Sequence, residues 1–232
     1  MATSDVHGQN TRFLDLLKEA QYDSSNDLLI ICGDIVDRGM ENLNTIATVQ
    51  GLVTKGAIAI RGNHEQFLQE VIHIMLIDPN WLQNPMVDVW ARYNGGATCF
   101  EEIKDLSEIK LREIIGFIKS LPNFFTVGNY IFCHAGIDPK KSLEENSEDD
   151  CVWADNDFAF RLAYRGKTVI FGHTPTWNFL PSVSNRNNKE HRKNAKIWYD
   201  PKHKDKICLD TGGVFGGRLA MLELPSYREF YV

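Results

Sequence analysis

The sequence predicts an α/β fold, and three observations carry that prediction. Short apolar runs alternate with stretches of helical periodicity, as β-α-β units require. The run Leu28-Leu29-Ile30-Ile31-Cys32 is apolar on both faces of an extended chain and reads as a buried strand. Directly after it comes Gly33-Asp34-Ile35-Val36-Asp37-Arg38-Gly39, which sets two carboxylates and an arginine where a strand gives way to a loop. That is the edge at which open α/β sheets bind ligands. Four other clusters share the arrangement: Asp5-Val6-His7-Gly8, Arg61-Gly62-Asn63-His64-Glu65, Cys133-His134-Ala135-Gly136 and Gly172-His173-Thr174-Pro175. Five polar strand ends on one sheet edge would build a metal centre, because first-row divalent ions take carboxylate, imidazole and carbonyl donors together.

The elements follow in order. On extended backbone Asp5 and His7 would point the same way, which suits two ligands on one ion, and Gly8 lets the chain turn. Asn10 or Thr11 can cap a first helix through Phe13, Leu14, Leu17 and Ala20. After the central heptad, Leu43, Ile46, Ala47 and Val53 mark a second helix, ended by Gly56. Ala57-Ile58-Ala59-Ile60 is the next strand, and it delivers Asn63 and His64. A helix begins near His64 through Phe67, Leu68, Val71, Ile72 and Met75; its free amides would favour an anion. Residues 78–96 read as a loop containing Trp81, Trp90 and Tyr93, with packing favoured over walling a substrate cleft as their role, and 101–120 as one helix. Gly128-Asn129 joins a hairpin whose second strand presents His134. The acidic run 144–150 reads as a solvated loop, Thr168–Phe171 as the strand before His173, and the basic stretch 185–206 as a mobile surface loop. Strands at 207–209, 219–224 and 229–232 close the chain around Asp210-Thr211-Gly212-Gly213. Without a linker, internal repeat or low-complexity tract, residues 1–232 are expected to form a single domain.

Composition narrows the function. The chain is 43% apolar and 24% charged, ordinary for a soluble globular protein, and its formal charge of −6 argues against a polyanionic partner such as nucleic acid. Five scattered cysteines with no C-x-x-C are expected to be buried reduced thiols, consistent with a cytoplasmic protein. Neither a leader-like start nor a bilayer-length apolar stretch is present, so no membrane partner is expected. Gly166-Lys167-Thr168 is not a P-loop, since position 161 is Arg where that motif needs Gly.

Taken together, Asp5-Val6-His7, Gly33 to Gly39, Gly62-Asn63-His64-Glu65, His134-Ala135-Gly136 and Gly172-His173 resemble the motif set of the calcineurin-like metallophosphoesterases. More narrowly they resemble compact bacterial and bacteriophage PPP-type serine/threonine phosphoprotein phosphatases, as do Asn94-Gly95-Gly96 and Asp210 to Gly217. The match runs from residue 4 to about residue 224. It implies a four-layer αββα sandwich of mixed sheets flanked by helices, with two divalent metal ions at the strand ends. By resemblance Asp5, His7 and a bridging Asp34 hold the first ion, and Asp34, Asn63, His134 and His173 the second. Manganese is the expected metal, with iron or zinc as alternatives. A shared carboxylate can keep two cations about 3.5–4 Å apart, as paired-metal hydrolysis needs. Arg38, assisted by Asn63, would bind phosphate; His64, oriented by Asp37, would protonate the leaving oxygen, and a neighbouring carboxylate favours the imidazolium form.

The expected activity is therefore hydrolysis of phosphoserine or phosphothreonine in a protein or peptide. The alternative is a dinucleoside polyphosphate hydrolase, a group that usually lacks the carboxylate at Asp37 and has Asp in place of Glu65. A non-catalytic binding module would be expected to have lost ligands that are all retained here. One departure from the phosphatase pattern is Trp153-Ala154-Asp155, where relatives often carry arginine at the third position; Arg161 or Arg165 would have to replace it. Asp210 is expected to support His173 or the metal shell, whereas His73, His191 and His203 lie outside the motifs.

Overall fold

The computed structural model describes residues 1–154, 157–180 and 188–232. Two five-stranded mixed sheets are stacked, each with three parallel strands: in the first they run to one edge with two antiparallel strands beyond the other side, and in the second they are central with an antiparallel strand at each edge. The first has the order β10-β9-β1-β2-β3, from Glu229–Tyr231, Ala220–Leu222, Ala2–Thr3, Ile30–Cys32 and Ile58–Ile60. The second has the order β4-β5-β6-β8-β7, from Phe124–Val127, Tyr130–Cys133, Thr168–Phe171, Lys206–Cys208 and Trp198–Tyr199.

Alternation along the strands explains the stacking. Ile30 and Cys32 of β2 join Phe132 of β5, Ile170 of β6, Ile207 of β8 and Leu222 of β9 in one cluster shared by both sheets. Ile31 points the other way, into the largest cluster, with Phe13, Ile46, Val49, Leu68, Val71 and Trp90 from the helices. Ile131, Val169 and Phe171 face outward from the second sheet onto Ile137, Phe158 and Ala163. Each central strand is thus apolar on both faces, as its uninterrupted run of Ile, Val and Phe indicated. Fully burying one such side chain contributes roughly 1.5–3 kcal/mol.

Six helices cover the first sheet or extend its apolar layer: α1 (Asn10–Glu19), α2 (Asn42–Val53), α3 (Asn63–Ile77), α4 (Pro85–Tyr93), α5 (Ala97–Ile103) and α6 (Glu108–Ser120). Several differ from the sequence reading. The segment 78–96 holds α4 instead of a loop: Asn84 accepts the Met86 N–H at 3.0 Å, Pro85 occupies the first turn, and Val87 and Trp90 are buried. The stretch 101–120 is two helices, because Ser107 caps α6 through the Lys110 N–H and interrupts the run. Helix α1 has no side-chain cap; Asn10 instead accepts the Thr48 hydroxyl, and Leu14 is exposed while Leu16 is buried.

The acidic run is ordered as well, with a short helix α7 (Glu148–Val152) capped by Ser147. Within 185–206, positions 185–187 lie outside the described residues, but 189–193 are helical, Trp198–Tyr199 is β7, and Lys206 is a buried residue of β8. All five cysteines are buried free thiols. No described helix is long and apolar enough to cross a membrane.

Candidate metal centre

The polar clusters leave the carboxyl ends of strands in both sheets: β1, β2 and β3 from the first, β5 and β6 from the second. The expectation of one sheet edge is corrected in that respect, and the site lies across the seam of the sandwich.

Nor is the backbone at Asp5 and His7 extended. β1 ends at Thr3, and both residues have left-handed φ, +54° and +46°. Their amides donate to Gly33 O and Asp34 O at 3.1 and 2.9 Å, so this loop is laced to the one after β2. Asp34, Asp37, Arg38 and His173 also have positive φ, so six of the nine such non-glycine residues among those described belong to this site. Left-handed backbone is unfavourable for side chains other than glycine and persists where the surroundings over-determine it. At Asp34 it is Glu65 that does so: its carboxylate accepts the N–H groups of Gly62, Asp34 and Ile35 at 2.8–2.9 Å. Gly33 (φ +79°) lies so close beneath His134 that a Cβ there would stand 2.6 Å from Nδ1. The amino terminus of α3 is already answered by Glu65 and by Asp34 Oδ1, which accepts the His64 N–H at 3.2 Å.

The donor atoms fall into two groups divided by one carboxylate. His134 donates through Nδ1 to Cys32 O at 2.9 Å, which leaves Nε2 a bare lone pair. Around that Nε2 stand Asn63 Oδ1 at 2.9 Å, His173 Nδ1 at 3.1 Å and Asp34 Oδ1 at 3.2 Å. In the other group His7 donates through Nδ1 to Val36 O at 2.8 Å, so its Nε2 faces Asp34 Oδ2 at 3.4 Å and Asp5 Oδ1 at 3.9 Å. Asp34 thus turns one oxygen to each group. Apart from the Arg38 guanidinium beside His7 Nε2, these are crowded acceptor atoms, which repel unless a cation lies among them, so the residues fit a pair of metal ions. His7, Asp34 and His64 have donor atoms mutually close enough for one ion, as do Asp34, His134 and His173. His64 therefore stands nearer the first group than its assigned role as an acid implied.

Burial sets the charge states. It drives the His7 imidazole well below its ordinary range, His134 to about 3 and His173 to about 4, so all three are neutral ligands at pH 7. The same desolvation, reinforced by mutual repulsion with Asp5, pushes Asp34 well above the usual carboxylate range. A divalent cation would relieve both.

Behind the donor groups, His64 donates through Nδ1 to Asp37 Oδ2 at 2.7 Å, and Trp90 Nε1 donates to the same oxygen at 2.8 Å. Burial raises Asp37 to about 7 and, with the nearby Arg38 charge, lowers His64 well below its ordinary value. The expected preference for imidazolium is opposed by desolvation of a ring that is 1% exposed. Arg38 is anchored by its N–H to Gly95 O at 2.8 Å; its guanidinium contacts His7 Nε2 and lies 5.1 Å from the Phe215 ring centre.

Asp155 lies outside the described residues. Arg161 pairs with Asp157 at 3.2 Å, and the Asp210 carboxylate accepts the Gly212 N–H at 2.8 Å. His73 is exposed on α3. In the sequence Trp90 reads only as a packing residue and Glu65 only as part of a motif; their hydrogen bonds to the site are what sequence reasoning missed. Their partners, Asp37 and the residues 34–35, are 53 and 30–31 positions away, and no local spacing signals such pairs.

A stacked pair of mixed sheets with a carboxylate-bridged donor set at their seam is the architecture of a metal-dependent phosphoesterase. A model of the calcineurin-like phosphoesterase family matches residues 1–215, and the chain belongs to that family. It is 26% identical to the symmetrical bis(5'-nucleosyl)-tetraphosphatase of Dechloromonas aromatica, covering 100% of this chain and 94% of the relative. It is 27% identical to the asymmetrical bis(5'-nucleosyl)-tetraphosphatase PrpE of Bacillus subtilis (99% and 92%), and 26% to serine/threonine-protein phosphatase 2 of Salmonella typhimurium (95% and 90%). Among solved structures the fold is similar to that of a proposed diadenosine tetraphosphatase, with TM-score 0.67, 19% identity and coverage of 100% and 91%. It is also similar to a protein serine/threonine phosphatase of Saccharomyces cerevisiae, with TM-score 0.60, 15% identity and coverage of 98% and 75%.

Proposed function

We propose that the chain is a single catalytic domain that hydrolyses phosphoric esters with two divalent metal ions. The observation that carries this reading is Asp34, with Oδ1 3.2 Å from His134 Nε2 and Oδ2 3.4 Å from His7 Nε2. Asp5, His7 and Asp34 would hold one ion; Asp34, Asn63, His134 and His173 the other. The mixed oxygen and nitrogen donors suit manganese, iron or zinc. When bound, the ions supply Lewis acidity toward phosphate and water.

The chain's own groups do the rest. Arg38 binds phosphate oxygens through its planar fork, with Asn63 assisting. His64 presents Nε2 to the leaving oxygen while Nδ1–H is held by Asp37, so a proton carried on Nε2 passes to the departing group. A bound phosphate dianion favours the charged imidazole that burial alone disfavours. The buried, reduced thiols are consistent with a cytoplasmic setting.

For the substrate, geometry and relatives pull apart. An alkoxide is a poor leaving group and needs an acid, so the His64–Asp37 pair supports a phosphomonoester such as phosphoserine or phosphothreonine. A nucleotide released from an anhydride departs without that help. The names of the relatives nevertheless support the second reading, hydrolysis of a dinucleoside tetraphosphate, better than the first: near-full-length matches include symmetrical and asymmetrical tetraphosphatases. Turnover of a phosphoserine peptide and of diadenosine tetraphosphate, compared at equal Mn2+, separates them. A higher kcat/KM on the peptide supports the monoesterase, and strong preference for the dinucleotide replaces it.

A further inference from the structure

We propose that Trp90 is a positioning residue for the leaving-group proton, and that the turn Asn94-Gly95-Gly96 is built to hold it there. The proposal rests on the reading of His64 as a general acid. Trp90 is fully buried, yet its one polar atom is satisfied by Asp37 Oδ2, the same oxygen that receives His64 Nδ1–H. Two donors from separate elements converge on that oxygen and restrain it, so the imidazole is held against a swing of the Asp37 side chain. With Nδ1 committed to donation, Nε2 is the nitrogen aimed at the site.

The turn locks both halves of this arrangement. A Cβ on Gly96 would collide with the five-membered ring of Trp90, including Nε1 at 2.5 Å. One on Gly95, which has φ +83°, would stand 2.5 Å from Arg38 Cγ, and Gly95 O accepts the Arg38 N–H. Helix α4 and its exit turn therefore brace the acid pair through Trp90 and the phosphate arginine through Gly95. The packing core that a buried tryptophan would otherwise represent needs neither the directed N–H nor the excluded Cβ.

The test compares Trp90→Phe, which deletes the N–H but keeps an aromatic filler, with Gly96→Ala, which displaces the indole by a different route. Both are assayed on a phosphoserine peptide and on p-nitrophenyl phosphate, whose leaving group needs no proton, with His64→Asn in parallel and bound Mn2+ measured throughout. Loss of about tenfold in kcat on the peptide, with p-nitrophenyl phosphate turnover and metal content nearly unchanged, is the expected result for Trp90→Phe; for Gly96→Ala, whose turn also holds Arg38, the expected result is a loss on the peptide about tenfold greater than that on p-nitrophenyl phosphate, with metal content unchanged. Equal losses on the two substrates, loss of metal, or unchanged peptide turnover overturns the proposal. If Trp90→Phe does not fold, Gly96→Ala decides alone by the same criteria. Should His64→Asn itself lose equally on both substrates, the acid reading fails first and takes the proposal with it. Should His64→Asn be selective and neither Trp90→Phe nor Gly96→Ala be so, only the positioning role is lost.

Discussion

At the scale of single residues, the site turns on one carboxylate, Asp34, whose two oxygens face His134 Nε2 at 3.2 Å and His7 Nε2 at 3.4 Å. Asp5, His7, Asp34, Asn63, His134 and His173 are legible in the sequence because each lies within three positions of a glycine after an apolar or β-branched run, and the structure brings all six together. Their left-handed backbone was not legible, since Asp and His carry no local demand for positive φ. Glu65 reads as one letter of a motif, but its carboxylate ties the loop at Asp34 and Ile35 to the start of α3 at Gly62 and so holds Asp34 in place. Asp34→Asn should abolish turnover and lower bound Mn2+ measured by elemental analysis, because the amide can present only one oxygen to two groups. His64→Asn should keep both ions while losing about 10²–10⁴-fold in kcat on an alkyl phosphate, and less on p-nitrophenyl phosphate.

At the scale of elements, the central strands are legible because runs such as Thr168–Phe171 are apolar on both faces, and the hairpin at Gly128-Asn129 because its turn chemistry is strong, whereas the edge strand β7 falls inside a stretch that reads as a surface loop. Two of the departures share one cause. Asn84-Pro85 and Ser147 sit in stretches that read as loops, although the same residues start helices when a helical segment follows. Asn84→Ala should cost about 1 kcal/mol of stability by removing the cap of α4, readable by urea unfolding. Because α4 ends at the turn that contacts Arg38 and Trp90, that variant should also lower turnover while leaving metal content intact.

At the scale of the whole molecule, opposed titrations govern stability. The site histidines are pushed below their ordinary value of 6.5, so the stability they contribute is present above pH 6.5 and lost as pH falls toward their folded values, about 4 for His173 and about 3 for His134. The buried carboxylates are pushed upward, Asp37 and Glu65 to about 7, so what they contribute is present at low pH and lost as pH rises through those values. Metal ions bind the deprotonated forms of both classes, and protons compete with them. Added Mn2+ should therefore raise the Tm of chelator-treated protein more at pH 7.5 than at pH 5.5 in scanning fluorimetry. An increment as large at the lower pH would contradict this assignment of charge.

The seam location carries a consequence for synthesis. Of the six donors, Asp5, His7, Asp34 and Asn63 leave the ribosome early, whereas His134 and His173 come from the other sheet and emerge much later. Strand β1, which carries the first pair, is itself flanked by β9 near the carboxyl end. A nascent chain halted before residue 173 thus lacks the last ligand of the Asn63 group, and the sheet beneath the first pair remains open on one side. Catalytic competence would arrive late in translation and all at once, which spares the cell a half-built hydrolase loose among its phosphates.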